Sequence, residues 1–274
     1  MLEFTEINGA RLAYEISGPE TGPLMITLHG GRGVGDHRSD YRVYSQLNDR
    51  LRVLSFDYRG HGQSSRTKPY TFEQIVNDVE GMRQHFAGAK QVTICGGSFG
   101  GFIALHYAIK YAAHVSHLIL RGTAASHHRR VDEESALRGL EARISKTPSF
   151  SKEMLRDKVF GAYEDDEEFK LIHFAVMPLH KENFDANAAL VACRNTVFVA
   201  ESHNELYSPR EKYFDYTDRL GNITAKTLVV VGENDWICPP ENSEIIHRGI
   251  QGSQLVVVPG ANHAVHVEKT HIVL

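Results

Sequence analysis

The sequence predicts an α/β fold with a mostly parallel, doubly wound sheet and an inserted helical cap. Short apolar runs of strand character alternate with helical segments, a pattern typical of parallel sheets covered on both faces. This alternation stops after Arg121-Gly122-Thr123 and returns at Thr227, and between these points the pattern is helical, charged and poor in strands. We therefore expect a core of residues 1–122 and 222–274 and a cap of residues 123–221.

The predicted strands are short and bounded by turn residues. The first two are expected to form a hairpin, because they alternate in polarity and flank the strong turn pair Asn8-Gly9. The later ones are apolar runs, as in buried parallel strands. In chain order, the predicted strands are Glu3–Ile7, Arg11–Ser17, Leu24–Leu28, Arg52–Phe56, Gln91–Cys95, Val115–Leu120, Thr227–Val231 and Gln254–Val258.

The segments between these strands predict helices. Thr71 and Gln74 have the spacing of a capping box, in which the hydroxyl and the Gln74 side chain satisfy free helix amides. They open an amphipathic helix that continues to about Phe86 and ends near Gly88. Further helices are predicted at Tyr41–Asp49, at Phe102–Tyr111 and after Pro239-Pro240.

Composition narrows the class of protein. The 274 residues carry a net charge of −4 with scattered basic residues, so nucleic acid and anionic membranes are not expected partners. Three cysteines do not form a disulfide framework, which favours a reducing compartment and a cytoplasmic location. No apolar run approaches the ~20 residues of a membrane-spanning helix, and the N-terminus lacks the pattern of a signal peptide.

A serine lies at the apex of a predicted strand-to-helix turn, in Gly96-Gly97-Ser98-Phe99-Gly100. A serine at such a corner has a strained backbone, and glycines on both sides let the strand and the helix pass closely. The turn exposes the hydroxyl and directs the first amides of the helix at a developing oxyanion. Alone, the G-x-S-x-G pattern also fits a merely tight turn. Residues elsewhere in the chain make Ser98 a candidate nucleophile.

A nucleophilic serine needs a base, and position selects one of the 16 histidines. His263 follows the last apolar strand, and Asp235 lies in the loop after the preceding strand. Both loops leave the carboxyl edge of the sheet, where His263 can reach Ser98 while Asp235 accepts the Nδ1 proton and stabilises the imidazolium. The chain order Ser, Asp, His fits this arrangement, with Glu233 as the alternative acid. No histidine pair has partners at metal-site spacing, so no metal is expected.

A glycine-rich loop, His29-Gly30-Gly31-Arg32-Gly33, follows the strand Leu24–Leu28. Glycines let its amides approach a bound carbonyl, so we expect the N–H groups of Gly31 and Phe99 to stabilise an oxyanion. The chain has neither a Walker lysine pattern nor a G-x-G-x-x-G sequence opening a helix, which excludes a phosphate-binding loop. No cofactor is expected.

Taken together, these motifs make the sequence resemble the α/β-hydrolase superfamily over essentially its full length. The resemblance rests on His29-Gly30-Gly31, on the Ser98 turn, on the Asp235 and His263 loops, and on the run Asp57-Tyr58-Arg59-Gly60-His61-Gly62-Gln63-Ser64. It implies an α/β-hydrolase fold and a cofactor-free serine hydrolase that forms an acyl-enzyme intermediate.

The doubled glycines of the two loops look most like the prolyl aminopeptidase (proline iminopeptidase, peptidase family S33) branch. There the first loop usually reads H-G-G-P-G and the turn G-G-S-W-G, whereas this sequence has Arg32 for the proline and Phe99 for the tryptophan. That branch holds the free amino terminus of its substrate with cap glutamates, which points to Glu201 in Glu201-Ser202-His203-Asn204, and a solvated helix face is the alternative interpretation of this residue. The tryptophan–glutamate pair of the branch is absent, since Trp236 is the only tryptophan.

The resemblance implies hydrolysis of a small ester, lactone or amide, with a small molecule or a short peptide as the substrate. Iminopeptidase-like specificity is one form of this activity. Arg32, Glu201 and Trp236 are the candidate substrate contacts. Two alternatives stay open: hydrolysis of a carbon–carbon bond beside a ketone, and a non-catalytic ligand receptor on the same fold.

Overall fold

The computed structural model describes residues 1–127, 138–147, 150–180 and 184–274. Strands among these residues form one sheet in which every predicted strand is present, with small differences at the ends. The strands are β1 (Glu3–Ile7), β2 (Ala10–Ser17), β3 (Leu24–Leu28), β4 (Arg52–Phe56), β5 (Val92–Gly97), β6 (Val115–Arg121), β7 (Lys226–Gly232) and β8 (Gln254–Val258). Their order across the sheet is β1-β2-β4-β3-β5-β6-β7-β8.

Strands β3 to β8 run parallel, and β1 and β2 form an antiparallel hairpin at one edge. The hairpin turns at Asn8 (φ 49°) and Gly9 (φ 76°), the two positive φ values that a two-residue loop requires. Strand β3 is buried along its whole length between β4 and β5. Because parallel strands end at one edge, the loops after β3, β5, β7 and β8 meet there.

Helices pack on both faces of the sheet, as the alternation predicts. Along β3, Ile26 belongs to the core cluster formed with α2 and α3, whereas Met25 packs with Tyr44 of α1 on the other face. The helices are α1 (Arg38–Tyr44), α2 (Phe72–Ala87), α3 (Phe99–Lys110), α4 (Lys152–Met154), α5 (Asp166–Val176), α6 (Ala186–Arg194), α7 (Ala200–Leu206), α8 (Pro209–Lys212), α9 (Pro240–Gly249), α10 (Val265–Glu268) and α11 (Thr270–Val273). Residues 138–143 are also helical.

Helix α2 begins with half of the predicted capping box. The Gln74 N–H donates to the Thr71 hydroxyl at 3.1 Å, as expected for an N-cap threonine. The Gln74 side chain, however, donates to Asp78 Oδ1 at 3.0 Å rather than reaching back to the cap. Gly88 ends the helix with φ 58°.

Two helices differ in their bounds from the prediction. Helix α3 begins at Phe99 rather than Phe102, because Gly100 and Gly101 are helical despite the low helix propensity of glycine. Helix α1 covers Arg38–Tyr44 rather than Tyr41–Asp49. Its start coincides with a turn in which the Asp36 side chain accepts from the Arg38 N–H at 3.0 Å.

The described part of the segment between β6 and β7 is helical. Its described residues form helices, helical turns and one isolated bridge between Ser126 and Asp215. Leu206 and Phe214 of this segment join the core cluster of the sheet, while Phe150 and Leu179 belong to a separate apolar cluster. The division into a core of 1–122 and 222–274 and a cap of 123–221 stays a prediction. Within the described ranges, no helix has both the length and the apolar character needed to cross a membrane.

Candidate active site

Ser98 lies between β5 and α3, on the turn that the sequence predicts. Its backbone has φ 53° and ψ −122°, an unfavourable conformation for a residue with a side chain. The Ser98 N–H donates to the Arg121 carbonyl at 3.0 Å, and the Thr123 hydroxyl donates to the Ser98 carbonyl at 2.8 Å. These hydrogen bonds hold the strained turn at the edge of the sheet.

The glycine after this turn permits a close contact between elements. A Cβ atom on Gly100 would lie 2.0 Å from the Leu28 carbonyl oxygen. A larger residue would clash with that backbone, so only glycine lets the first turn of α3 pack against the end of β3. The packing places the amide end of α3 beside the loop that follows β3.

His263 and Asp235 form a hydrogen-bonded pair in the loops after β8 and β7. His263 Nδ1 lies 2.9 Å from Asp235 Oδ1 and 2.8 Å from Oδ2. Asp235 is itself held, because Oδ1 accepts from the N–H groups of Ile237 at 3.0 Å and Cys238 at 2.9 Å. A carboxylate at Nδ1 makes that nitrogen the proton donor, which leaves Nε2 as the basic nitrogen.

Burial opposes protonation of His263, but the charge and hydrogen bond of Asp235 outweigh it and raise the pKa of the imidazole. An imidazolium formed during proton transfer is thereby stabilised where the ring lies. This is the electrostatic property that a general base beside a serine requires.

Ser98 and His263 both line a cavity of about 690 Å³, called here the large cavity, and a neighbouring cavity of about 630 Å³. Within the described part of the chain, no hydrogen bond joins the Ser98 hydroxyl to His263. Such contacts are often long without substrate and shorten when it binds. The structure therefore brings the three predicted residues to one edge of the sheet, with the histidine–aspartate contact formed.

The loop after β3 lies against Ser98. A Cβ atom on Gly30 would be 3.1 Å from the Ser98 Cβ, and Gly31 has φ 86°, where its own Cβ would be 2.2 Å from the Val34 carbonyl oxygen. Among the described residues, the Gly31 N–H has no hydrogen-bond acceptor. The Phe99 N–H belongs to the first turn of α3, whose amides lack intrahelical partners. Both residues line a second cavity with Ser98.

A buried ion network lies beside the turn that carries Ser98. Arg121 Nη2 is 2.8 Å from Asp40 Oδ1, and His266 Nε2 is 3.1 Å from the same oxygen. Burial raises the pKa of Asp40, but Arg121 and His266 outweigh that effect and lower it. The sequence analysis missed this network, although an arginine that ends an apolar strand is itself a signal of a buried ion pair. In the described ranges, His, Cys, Asp and Glu side chains form no cluster of three or more suited to a metal ion.

Arg32 lies in the second cavity, which holds about 100 Å³ and is called here the small cavity. The side chain is only 5% exposed. Its Nη1 donates to the Leu206 carbonyl at 3.0 Å, and its guanidinium carbon lies 4.0 Å from the centre of the Tyr207 ring. The structure thus places this predicted substrate contact beside Ser98.

The family comparison agrees with this fold. The family described as alpha/beta hydrolase fold matches residues 23–270. The chain belongs to the α/β-hydrolase family. It is 66% identical to the proline iminopeptidase PfmaB of Pestalotiopsis fici, over 100% of this chain and 97% of that protein. It is also 27% identical to a proline iminopeptidase of Thermoplasma volcanium, over 95% of this chain and 89% of the relative. This α/β-hydrolase therefore belongs to the proline iminopeptidase branch and is an enzyme of the hydrolase class.

Solved structures show the same fold at lower identity. A hydrolase of Pseudomonas aeruginosa superposes with a TM-score of 0.73 at 23% identity, covering 99% of this chain and 95% of that one. A meta-cleavage product hydrolase of Pseudomonas fluorescens gives a TM-score of 0.75 at 21% identity, covering 99% and 94%. At these identities the match concerns the fold alone.

Glu201 does not lie where the sequence analysis expected it. It is on the exposed face of α7, where its Oε1 pairs with Lys68 Nζ at 2.7 Å, and it lines neither the large nor the small cavity. The buried face of the same helix carries Ser202 and His203. The prediction of Glu201 as a substrate contact is therefore not supported in this α/β-hydrolase, because the helix turns that side chain to solvent.

Trp236 also departs from the prediction. It is buried in the apolar cluster with Leu140 and Phe150 and lines neither cavity. The next two residues, Ile237 and Cys238, line the small cavity instead. Trp236 thus packs the helical segment onto the loop that carries Asp235.

The sequence analysis named few of the residues that form the cavity walls. Tyr207 and Phe160 line both cavities, and His173 lines the large one. Burial lowers the pKa of His173 to about 4, so its ring is neutral near neutral pH. Phe160 and Tyr207 directly follow helical segments, and His173 lies within α5. These segments meet only in the folded chain, so no local pattern marks the three residues.

Proposed function

We propose that this α/β-hydrolase is a cofactor-free serine hydrolase in which Ser98 is the nucleophile, His263 the base and Asp235 its partner. His263 Nε2 accepts the Ser98 proton as Oγ attacks the substrate carbonyl. The imidazolium then donates that proton to the leaving group, and the bond to the carbonyl carbon breaks, which leaves an acyl-enzyme. Water attacks this ester, again with His263 as base, and Ser98 leaves with its proton restored.

The oxyanion formed in each step is proposed to accept hydrogen bonds from the N–H groups of Gly31 and Phe99. The Gly31 amide, which has no acceptor in the described ranges, and the first turn of α3 beside Ser98 support this role. Loss of one such donor typically lowers the rate ~10²–10³-fold.

The observation that carries the proposal is the His263–Asp235 pair on the cavity that Ser98 also lines. The bond cleaved is proposed to be an amide or an ester of a small molecule or a short peptide. Removal of an N-terminal proline is the second candidate, because the 66% identical relative is named a proline iminopeptidase. Three cysteines, an odd number that makes no disulfide framework, support the proposal of a cytoplasmic location.

A fluorophosphonate probe tests the nucleophile. The protein should be labelled at Ser98, and Ser98→Ala should abolish labelling. Ser116→Ala is the matched control, since Ser116 lies on β6 and lines neither the large nor the small cavity, and it should label like the wild type. A folded wild-type protein that fails to label would overturn the serine-hydrolase proposal and favour a receptor.

The bond class is tested by turnover of prolyl 2-naphthylamide against 4-nitrophenyl butyrate. Preference for the prolyl amide would support the iminopeptidase candidate. Turnover of neither substrate by a protein that labels would direct the search to other acyl groups, including carbon–carbon bonds beside a ketone.

A further inference from the structure

Arg32 differs from every other deeply buried arginine of the described residues. Four arginines are buried, and three of them contact a carboxylate. The ion pairs are Arg59 with Asp78, Arg83 with Glu80 and Arg121 with Asp40, at 2.6 to 2.8 Å. No carboxylate of the described residues lies within ion-pair distance of Arg32. A buried charge without a counter-ion is strongly unfavourable, so its retention calls for a ligand-binding explanation.

The surroundings of Arg32 leave its hydrogen-bonding capacity largely unused. Of the five N–H donors on the guanidinium, the described residues engage Nη1 alone, at the Leu206 carbonyl. Aromatic rings surround the cation, with centres 4.0 to 5.6 Å away: Tyr207, Phe72, Phe102 and Phe99. These rings fix the guanidinium by cation–π contact without satisfying its donors. Glu211 attracts Arg32 electrostatically, but its Oε2 accepts from the Phe72 N–H at 2.7 Å.

A second unsatisfied donor faces the same cavity. Asn242 is buried and lines the small cavity with Arg32 and Ser98, and its Nδ2 has no hydrogen-bond partner among the described residues. The described residues that line this cavity include no aspartate or glutamate. In the large cavity the one such residue is Glu268, whose oxygens accept from the Asn262 and Ala264 N–H groups. The small cavity beside Ser98 therefore offers donors and positive charge.

We infer that Arg32, with Asn242, binds a carboxylate of the substrate in the small cavity, so that the enzyme takes acyl compounds or short peptides bearing a negative charge. The planar guanidinium fork matches a carboxylate, and the low-polarity walls strengthen the pairing. This inference rests on the proposed function for the identity of the reacting bond. The positive charge of Arg32 in the small cavity is opposite in sign to the charge that would hold a free ammonium group.

The carboxylate has two chemical sources, which kinetics can separate. On the acyl side, 4-nitrophenyl hydrogen glutarate is compared with its uncharged isostere 4-nitrophenyl glutaramate. On the leaving side, the dipeptide Pro-Gly is compared with Pro-Gly amide. The wild type should prefer the charged member of at least one pair, measured as a ratio of kcat/KM values.

Arg32→Met should lower that ratio by about thirtyfold or more, because one partner of a desolvated charge pair is lost. Arg32→Lys should retain part of it, since lysine keeps the charge but not the fork. Asn242→Asp, which replaces a donor with an acceptor of equal size, should lower the ratio as well. Arg66→Met is the matched control, because Arg66 is exposed and pairs with Asp166, and it should leave the ratio unchanged.

A readout without turnover separates this inference from the proposed function. Calorimetric titration of Ser98→Ala with the mono-anilide of glutaric acid, or with Pro-Gly, should show binding that the corresponding uncharged amide lacks. That binding should disappear in the double variant with Arg32→Met. If charge-selective binding is retained but the wild type is not labelled by fluorophosphonate, Arg32 still binds the carboxylate. The proposal that Ser98 is the nucleophile is then refuted. The inference that Arg32 binds a substrate carboxylate would be overturned by a wild type with no preference for either charged member, or by an unchanged ratio in Arg32→Met.

Discussion

Two histidines near Ser98 each contact a buried carboxylate, yet their protonation is shifted in opposite directions. His263 Nδ1 lies 2.8 Å from Asp235 Oδ2, and His266 Nε2 lies 3.1 Å from Asp40 Oδ1. Burial lowers the pKa of both rings. At His263 the Asp235 contact outweighs burial and raises the pKa, whereas at His266 burial and Arg121 together outweigh Asp40 and lower it.

The difference lies in what else the carboxylate touches. Asp40 already pairs with Arg121 at 2.8 Å, so its charge is largely neutralised before His266 contributes. Among the described residues, Asp235 accepts only backbone N–H groups besides the imidazole, so its charge acts on His263. A buried histidine–carboxylate contact therefore indicates a base only where no cation shares the carboxylate.

The largest expected effect separates these two histidines by activity. His263→Ala should lower kcat by ~10⁴-fold, because the serine then has no proton acceptor. His266→Ala should lower it by less than ~10-fold, since a positioning group outside the proton path affects the rate only through packing. Steady-state hydrolysis of the preferred ester or amide measures both. Equal losses from the two variants would show that the contrast in their carboxylates has no bearing on catalysis.

The second effect separates the two aspartates by stability. Asp40→Asn leaves the buried Arg121 without its counter-ion and should lower the free energy of unfolding by ~3–5 kcal/mol. Asp235→Asn should instead chiefly lower kcat, because the amide misorients the imidazole and cannot stabilise its charge. Urea denaturation followed by circular dichroism, together with kinetics of the folded variants, distinguishes the two outcomes. A larger loss of stability in Asp235→Asn than in Asp40→Asn would contradict this assignment.

The pH dependence of kcat/KM sharpens the comparison further. His263 must be neutral to accept a proton, and its pKa is raised from 6.5, so activity should fall as pH decreases through a value above 6.5. Below that midpoint the fall should be about tenfold per pH unit. Arg121 lowers and Glu268 raises the pKa of His263, both less than Asp235 does.

Asp235→Asn removes the main charge that raises this pKa, so the acidic limb of its residual activity should move to lower pH. His266→Ala should leave the limb near its wild-type position. If the acidic limb moves in His266→Ala but not in Asp235→Asn, the titrating group belongs to the His266–Asp40 pair. That result would refute His263 as the base.

The predicted residues that the fold brings to one edge of the sheet share a local signal. Ser98, Asp235 and His263 each follow a strand that is recognisable from its apolar run, and parallel topology brings the ends of those strands to one edge. Gly31 has a similar signal, because its positive φ and close packing require glycine. For such positions, the order of the strands and the points where they end are enough to predict where the residue lies.

Long-range packing decides the rest, and the sequence carries no comparable signal for it. The loop sequence shows Arg32 but not what surrounds its side chain. The partner of the guanidinium is the Leu206 carbonyl of α7, which lies far along the chain. Trp236 directly follows Asp235, yet its ring fills a cluster whose other members come from the helical segment. The direction in which a side chain points depends on the register of a helix against the sheet.

Glu201 is the position where the sequence pattern and the fold disagree most directly, and it gives the smallest expected effect. The side chain is about half exposed and pairs with Lys68 on the surface. An exposed ion pair contributes little, so Glu201→Gln should change kcat/KM for prolyl 2-naphthylamide by less than about threefold. Arg32→Met, measured beside it, should change selectivity by far more. Loss of prolyl amide turnover in Glu201→Gln, with ester turnover retained, would show that α7 turns this carboxylate toward the substrate during the reaction.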